Sequence, residues 1–345
     1  MKIRELGEFG FIDHFAPSFV RALPDGVLGI GDDCSVEEVG GGRARLLTTD
    51  LLVEDVHFLR ARIPPEDLGW KALAVNLSDI AAMGGEPGAA YLSLAVPADM
   101  ELDWLDRFFA GLRELAERSR THLLGGDTTG SPGPLVINIA VTGEMLLDRV
   151  KYRSDARPGD VICVTGCLGD SGAGLRVLLD GLPDRGDEGV VLKRHHRPRP
   201  HLEEGAWLAA REGVRAMLDV SDGVDSDLHR IMERSECGAR VDVGALPVSD
   251  ELRRLGEARG WDTVELAAAA GEDYCLLATV AADAWVAVAA GFAGAFSQPL
   301  HRIGEIVAAA AGLSYELDGE SVLLSRRGYD HFATDASVGE EEENE

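Results

Sequence analysis

The chain has 345 residues, 46% of them hydrophobic, so it can bury large cores, and its length predicts two domains. Its formal net charge is −27, and nothing in the sequence forms a basic patch. Both observations argue against a nucleic-acid or anionic-membrane partner. The five cysteines form no Cys-x-x-Cys pair, no apolar run is long enough to span a membrane, and no signal peptide precedes Gly7, which together predict a cytoplasmic protein with reduced thiols.

The first predicted elements carry carboxylates and hydroxyls beside turns. Residues 29–33 place two glycines before two adjacent aspartates, which repel each other unless a divalent ion lies near. Residues 45–49 predict a strand, and we expect the Thr-Thr-Asp sequence at 48–50 to lie at its end, where ligand groups are common. His57, in the loop that follows, is equally consistent with a substrate contact and with an ordinary loop histidine.

Residues 71–85 predict an almost wholly apolar helix that contains one carboxylate, Asp79. Apolar residues cover most of its circumference, so we expect the helix to be buried. An ionised aspartate there costs several kcal/mol unless a cation or hydrogen-bond donors meet it, and Lys71 lies more than two turns away. Hydrogen bonds from backbone amides or a distant arginine are one solution, and a metal ion is the other.

A strand at 89–96, an amphipathic helix at 103–118 and a strand at 135–144 follow. Between the last two, residues 123–129 again place a carboxylate and two hydroxyls at a predicted strand end. Residues 149–159 are basic and interrupt the pattern. We interpret them as a linker between two domains, with their basic side chains as candidate phosphate contacts.

In the second half, a strand at 160–165 leads into a glycine-rich segment at 166–174. Its spacing differs from the dinucleotide-binding fingerprint, so we expect a tight turn rather than a phosphate-binding loop. The basic, proline-rich residues 193–201 predict an exposed connection. Residues 217–227 concentrate aspartates before an amphipathic helix, and the Gly-Glu-Asp-Tyr sequence at 271–274 holds either site groups or a turn.

Most of these aspartates have Gly, Ser, Thr or apolar neighbours, which indicates a cage of oxygen ligands rather than a solvated surface. Carboxylates and hydroxyls without paired His or Cys select magnesium, manganese or calcium over zinc. Magnesium ions held by carboxylates, with phosphates completing their coordination, are typical of phosphoryl transfer. The aspartates of this predicted cage are Asp32, Asp33, Asp50, Asp79, Asp127, Asp219 and Asp222.

Motifs spread along the chain from Glu8 to Phe332 resemble those of the thiamine-monophosphate kinase family, and they occur in the family's order. The resemblance implies an α+β fold in which two domains of mixed sheets carry flanking helices, as in aminoimidazole ribonucleotide synthetase and selenophosphate synthetase. Together with the linker it divides the chain into domains at 1–148 and 149–335. The acidic residues beyond Phe332 depart from the family pattern, and their composition predicts a disordered tail at 336–345. The motifs lie at residues 29–33, 48–50, 57–58, 71–84, 125–129, 218–223, 271–274 and 328–332.

By motif match, the resemblance also implies three groups of site residues, with no nucleophile or general base among them. Several magnesium ions would be bound by Asp33, Thr48, Thr49, Asp50, Asp79, Asp127, Asp219 and Asp222. ATP would be bound by Gly126, Asp127, Arg153 and Ser221. Thiamine monophosphate would be bound by His57, Glu272 and Tyr329.

The activity that the resemblance implies is ATP-dependent phosphorylation of thiamine monophosphate to thiamine diphosphate by direct in-line transfer, the last step of thiamine diphosphate biosynthesis. The enzyme would be a homodimer formed through the sheet of the first domain. Two alternatives stay open. One is another ATP-using member of the same superfamily with a different small-molecule acceptor, and the other is a non-enzymatic, acidic calcium-binding protein.

Overall fold

The computed structural model describes residues 6–324, apart from the side chains of residues 8 and 9. These residues form two mixed β-sheets with flanking helices, which confirms the predicted α+β fold. Tyr329 and the predicted tail at 336–345 lie outside the described residues. Among the helices of residues 6–324, none combines the length and the apolar character that a membrane span requires.

The first sheet has six strands in the order β1-β2-β3-β6-β4-β5, and all neighbours are antiparallel except β4 and β5. Its strands are β1 (Val27–Leu28), β2 (Ser35–Gly40), β3 (Arg43–Val53), β4 (Glu86–Pro97), β5 (His122–Ser131) and β6 (Val136–Leu146). The helices of this part are α1 (Gly7–Val20), α2 (Pro65–Ala82) and α3 (Leu102–Ser119).

The second sheet has seven strands in the order β13-β12-β9-β11-β7-β10-β8, and its one parallel pair is β9 with β12. Its strands are β7 (Val161–Val164), β8 (Val214–Asp219), β9 (Cys237–Asp242), β10 (Leu276–Val280), β11 (His301–Ala308), β12 (Leu313–Leu317) and β13 (Glu320–Val322). Its helices are α4 (Asp170–Leu179), α5 (Gly186–His196), α6 (Leu202–Ala209), α7 (Val224–Ser235), α8 (Asp250–Arg259), α9 (Thr263–Ala269) and α10 (Trp285–Phe296).

Helix α2 is the predicted apolar helix, and it begins at Pro65 rather than at residue 71. A proline suits the first turn because the amide proton that it lacks has no partner inside the helix. Gly84, with a φ of 81°, allows the left-handed turn that follows the last helical residues. Between Lys71 and Ala82, the one residue that is not fully buried is Asp79.

Helix α2 is buried because it packs against both halves of the chain. A Cβ atom on Gly69 would lie 1.9 Å from the carbonyl oxygen of Phe108, so α2 and α3 cross in backbone contact. On another side, a Cβ atom on Gly205 in α6 would lie 2.2 Å from the carbonyl oxygen of Ala81. The prediction of a buried central helix is confirmed.

Two predicted strand ends are wrong. Strand β3 pairs with β6 along its whole length, from Arg43 to Val53, so residues 48–50 lie within the ladder rather than at its end. Strand β5 likewise continues to Ser131, beyond the predicted end at residues 123–129. Side chains alternate across a strand, so Thr48 and Asp50 face α2 while Thr49 faces away.

The face of the first sheet opposite α2 is uncovered. Leu47 and Leu51 on β3 are 46% and 52% exposed, and Tyr91 on β4 is 44% exposed. Every residue of β5 from His122 to Gly130 is also exposed. This face therefore carries several exposed apolar side chains.

The basic residues 193–201 are not an exposed connection, as the sequence predicted. They include the end of α5, and His195, His196 and His201 are all buried. Lys193 lies 2.8 Å from Asp67 on α2, so this lysine reaches across to the first half while the histidines pack inward. Neutral imidazoles tolerate such burial, which a count of basic residues does not show.

Candidate active site

Three carboxylates from distant parts of the chain meet beside α2. Asp33 precedes β2, Asp79 lies in α2, and Asp219 ends β8, and one oxygen atom of each lies within 4.8 Å of the others. The donor set consists of hard carboxylate oxygens, which are the ligands that magnesium prefers in proteins. The residues present therefore fit a magnesium site.

Strand β3 is hydrogen-bonded to α2 beside this cluster. The hydroxyl of Thr48 donates to Asp79 Oδ2. The backbone amide of Asp50 donates to Asn76 Oδ1 at 3.0 Å, and Asn76 Nδ2 donates to the carbonyl oxygen of Ala72 at 3.1 Å. Asn76 and Asp79 are three residues apart and share a face of the helix, so this face aligns the strand with the cluster.

A buried hydrogen bond joins α2 to the second sheet. Ser78 Oγ lies 2.6 Å from Asp219 Oδ2, and both residues are buried. The turn after Asp219 begins with Ser221 and Asp222, and the amide of Asp222 donates to Asp227 Oδ2 at 3.2 Å. Helix α2 and β8 thus place their carboxylates side by side across the two halves of the chain.

Arg153, in a short turn between the two sheets, supplies a cation to the cluster. Its Nη2 atom lies 2.6 Å from Asp33 Oδ1, and its backbone amide donates to Asp32 Oδ2 at 3.2 Å. Ser235, at the end of α7, donates a 2.7 Å hydrogen bond to the carbonyl oxygen of Arg153. A residue of the second half therefore fixes the backbone of Arg153, and the guanidinium contacts Asp33 in a loop of the first half.

The cluster is electrostatically strained in the absence of a bound cation. Burial, and then the charges of Asp50 and Asp219, hold the pKa of Asp79 well above its ordinary value of 3.8. Burial and the charge of Asp33 raise the pKa of Asp219 to about 8. Burial and the charge of Asp222 raise the pKa of Asp50 to about 6. A divalent cation would favour the ionised form of each of these groups.

Three predicted ligands lie elsewhere. Thr49 faces the uncovered side of the first sheet, where its Oγ1 accepts a 2.8 Å hydrogen bond from Asn138. Gly126 and Asp127 lie on the exposed strand β5, and a Cβ atom on Gly126 would lie 1.7 Å from the carbonyl oxygen of Leu92. Among the contacts described for residues 6–324, none joins Thr49 or Asp127 to the cluster. Their roles stay predictions.

The loop 271–274 is attached to the turn that follows β8. The amides of Glu272 and Tyr274 donate to the carbonyl oxygens of Ser221 and Val220 at 2.7 and 2.9 Å. Glu272 and Tyr274 both have positive φ, 64° and 51°, which is unusual for residues other than glycine. The backbone around Glu272 is thereby fixed beside the candidate ATP residue Ser221.

Asp273, in the same loop, is a helix cap. Its carboxylate accepts hydrogen bonds from the amides of Gly169 and Ser171 at 2.6 and 3.1 Å. These amides begin α4, so the glycine-rich segment at 166–174 already binds a carboxylate of the protein itself. This agrees with the predicted tight turn rather than with a phosphate-binding loop.

His57 lies in the loop between β3 and α2 and is partly buried. Its Nδ1 atom accepts a 3.0 Å hydrogen bond from the backbone amide of Val53. The neutral ring therefore carries its proton on Nε2. This fixes the ring's orientation, while its predicted contact with substrate stays a prediction.

Ser171, His195 and Glu272 form a group that superficially resembles a catalytic triad. Ser171 Oγ lies 2.9 Å and Glu272 Oε2 lies 3.3 Å from the same ring atom, His195 Nδ1. In a triad the nucleophile's hydroxyl and the orienting carboxylate lie on opposite nitrogens of the histidine ring. The group therefore does not activate Ser171 as a nucleophile.

Sequence reasoning missed several polar residues that shape the site. Asn76 and Ser78 are polar residues inside an otherwise apolar helix and flank the singled-out Asp79, which is the signal that would have found them. His195 gave no comparable signal, because its contact with Glu272 joins segments that are distant in sequence.

Comparison with known proteins agrees with this arrangement. Residues 31–145 match the family model of the AIR synthase related protein, N-terminal domain, and residues 157–314 match that of its C-terminal domain. Thiamine-monophosphate kinase of Escherichia coli strain K12 is 41% identical over 336 residues, covering 95% of this chain and 99% of that protein. The Bacillus subtilis enzyme is 34% identical over 331 residues, covering 95% and 100%.

A solved structure, AaThiL complexed with AMPPCP and TMP, has a TM-score of 0.83 and 33% sequence identity, and the match covers 96% of this chain and 99% of that one. These relatives are named as kinases, which excludes the alternative of a non-enzymatic calcium-binding protein. The chain belongs to the thiamine-monophosphate kinase family of AIR synthase related proteins.

Proposed function

We propose that the protein transfers the γ-phosphate of ATP to thiamine monophosphate and forms thiamine diphosphate and ADP, the last step of thiamine diphosphate biosynthesis. The observation that carries the proposal is the oxygen cluster of Asp33, Asp79 and Asp219, which lies beside the cation of Arg153. The relatives named thiamine-monophosphate kinase, and the related structure that holds AMPPCP and TMP, support this reaction.

Several magnesium ions would be held at this cluster. Bound magnesium would neutralise the phosphates of ATP and the charge that develops during transfer. The strained carboxylates support this assignment, because burial and mutual repulsion raise the pKa of Asp79 and Asp219. The ligands proposed at the cluster are Asp33, Thr48, Asp50, Asp79, Asp219 and Asp222, while Thr49 and Asp127 are proposed as ligands from the family motifs alone.

Two further sets of residues would bind the substrates. Gly126, Asp127, Arg153 and Ser221 would bind ATP, with Arg153 as the cation that meets phosphate oxygens. His57, Glu272 and Tyr329 would bind thiamine monophosphate. The hydrogen bond between Glu272 and the carbonyl oxygen of Ser221 supports a common site, since it joins a residue of one set to a residue of the other.

Transfer would be direct. A phosphate oxygen of thiamine monophosphate is already anionic near neutral pH, so it can attack the γ-phosphorus without a base, and the bond from that phosphorus to ADP breaks. The residues must hold the two reacting atoms about 3–3.5 Å apart and in line. Neither His57 nor the Ser171 group offers an activated nucleophile, which supports transfer without a phosphorylated enzyme.

The enzyme would act in the cytoplasm as a homodimer, through the uncovered face of the first sheet. The exposed side chains of Leu47, Leu51 and Tyr91 support this interface, since exposed apolar side chains grouped on one face are typical of a contact site. Sedimentation of the wild type and of Leu51→Asp tests the interface, with a dimer expected for the wild type and a monomer for the variant.

Domains at 1–148 and 149–335 are supported by the sheets, because β6 ends at Leu146 and β7 begins at Val161.

The reaction is tested by following ADP and thiamine diphosphate with ATP, magnesium and one acceptor at a time. Thiamine monophosphate should turn over, and unphosphorylated thiamine should be inert because it lacks the attacking phosphate. Equal turnover of thiamine, or no turnover of the monophosphate, would contradict the proposal and favour a family member with another acceptor.

A further inference from the structure

Lys71 is a cation buried inside the protein. Its side chain is 1% exposed, and it lies on the same helix as Asp79. Its Nζ atom forms an ion pair with Glu272 Oε1 at 2.9 Å and has no hydrogen-bond partner of suitable geometry among the described residues. An uncompensated buried ammonium is strongly destabilising, so the carboxylate of Glu272 is the group that stabilises the charge of Lys71.

The second carboxylate oxygen of Glu272 meets a neutral histidine. Burial and the nearby charge of Lys71 hold the pKa of His195 well below its ordinary value of 6.5. Its Nδ1 atom lies 3.3 Å from Glu272 Oε2, and a carboxylate can only accept, so the contact needs a proton on Nδ1. Lys71 is therefore the charged partner of Glu272, and His195 is an uncharged one.

Glu272 is thus fixed on three sides. Its backbone has a φ of 64°, and its amide is bonded to Ser221, while its two carboxylate oxygens face Lys71 and His195. Its side chain nevertheless remains 27% exposed. Each carboxylate oxygen has two acceptor sites, so the exposed side can still accept hydrogen bonds from a ligand.

We propose that Lys71 is a positioning residue for the acceptor: it holds the carboxylate of Glu272 in the orientation that receives the amino group of the substrate's pyrimidine ring. The inference rests on the proposed function, in which Glu272 binds thiamine monophosphate. Lys71 acts through Glu272 and touches neither substrate.

Helix α2 then links the two parts of the site. Lys71 and Asp79 lie on one rigid helix, about 12 Å apart along its axis. One end of this segment holds the acceptor-binding carboxylate and the other belongs to the candidate magnesium cluster. A change at Lys71 should therefore affect binding of thiamine monophosphate and leave binding of ATP almost unchanged.

The test compares Lys71→Met with Lys193→Met in the full-length protein. Lys193 also forms an ion pair between α5 and α2, with Asp67, but it does not contact Glu272. Loss of a supporting partner costs about 10–100-fold in affinity or activity at metal sites, and we expect Lys71→Met to raise the KM for thiamine monophosphate about tenfold. The KM for ATP should change less than about twofold, as should both constants in the Lys193→Met control.

A double-mutant cycle with Glu272→Gln separates positioning from a structural role. If Lys71 acts through Glu272, Lys71→Met should cause no further rise in the KM for thiamine monophosphate in the Glu272→Gln background. The double variant also removes both charges of the ion pair, so it remains informative if Lys71→Met alone folds poorly. Lys71→Arg, which keeps the charge, should recover part of the lost affinity.

Equal increases of both KM values in Lys71→Met, or additive effects of the two substitutions, would overturn the inference. The melting-temperature shift that thiamine monophosphate causes gives the same comparison without turnover. If the wild type binds thiamine monophosphate but does not phosphorylate it, the proposed reaction is wrong. The melting-temperature comparison of the variants then still tests the role of Lys71. A wild type that does not bind thiamine monophosphate would contradict both the reaction and this role.

Discussion

Ser78 on α2 donates a 2.6 Å hydrogen bond to Asp219, the last residue of β8, and so joins the two halves of the chain at the carboxylate cluster. Ser78→Ala would leave a buried carboxylate oxygen without its donor, which typically costs about 1–3 kcal/mol. We expect the free energy of unfolding to fall by about this amount, and the KM for magnesium-ATP to rise. Urea unfolding and steady-state kinetics check the two effects.

Ser119→Ala is the matched control. The hydroxyl of Ser119 donates to the carbonyl oxygen of Leu115 in its own helix and lies away from the cluster. A KM for magnesium-ATP that rises equally in both variants would show that the bond between Ser78 and Asp219 has no special role.

The crossing of α2 and α3 depends on a glycine. A Cβ atom on Gly111 would lie 1.7 Å from the carbonyl oxygen of Glu66, so Gly111→Ala must force the helices apart. Overpacking of this kind costs about 1–3 kcal/mol and sometimes more. Gly294, in α10, has nothing within 4 Å of its Cβ position, and Gly294→Ala should stabilise the protein slightly because alanine favours the helix. Urea unfolding that shows equal effects of the two substitutions would contradict the described crossing.

The central helix could be predicted from the sequence because it follows from a local pattern. An apolar stretch interrupted by Asp79 already indicated a buried helix with a carboxylate that needs compensation, and the structure places Asp33 and Asp219 beside it. The family resemblance supplied the α+β arrangement, which the two mixed sheets confirm.

The rest depends on contacts between distant segments, which periodicity does not encode. The polar residues 48–50 gave the appearance of a strand end, yet β3 continues because β6 pairs with it throughout. The partnership of Lys71 with Glu272 joins opposite halves of the chain, and sequence reasoning noted only that Lys71 lies too far from Asp79 to neutralise it.

The stability of the metal-free protein should depend on pH through Asp219. Its pKa is about 8 in the folded protein against an ordinary value of 3.8, so the folded state keeps a proton that the unfolded chain has lost. The stabilisation is fully present below about pH 4 and is lost as pH rises through about 8. The asparagine of Asp219→Asn cannot ionise. The free energy of unfolding of this variant, relative to that of the wild type, should therefore increase as the pH rises from about 4 to about 8.

Chemical unfolding of both proteins in EDTA at several pH values measures this difference. Saturating magnesium should reduce the pH dependence of the wild type, since a bound cation favours the ionised form. A difference between the two proteins that does not change with pH would contradict the raised pKa.

Direct transfer predicts no phosphorylated enzyme. Labelled ADP should therefore not exchange into ATP when thiamine monophosphate and thiamine diphosphate are rigorously absent. Exchange at a rate comparable to turnover, or label recovered on His57 or another side chain after acid quench, would rule out direct transfer. The same exchange should appear when both thiamine phosphates are added, which serves as the positive control.

The central claim, that the carboxylate of α2 serves a bound cation, is tested most directly by comparing the melting temperatures of Asp79→Asn and the wild type. Asp106→Asn, an exposed aspartate of α3, is the control. We expect Asp79→Asn to abolish turnover, to keep the fold and to match or exceed the metal-free wild type in stability, because it removes a buried charge repelled by Asp50 and Asp219.

The decisive measurement is the rise in melting temperature on adding magnesium and ATP. The wild type and Asp106→Asn should show a large rise, and Asp79→Asn a much smaller one. An equal rise in all three proteins would show that Asp79 is a structural hydrogen-bonding residue and would contradict the account.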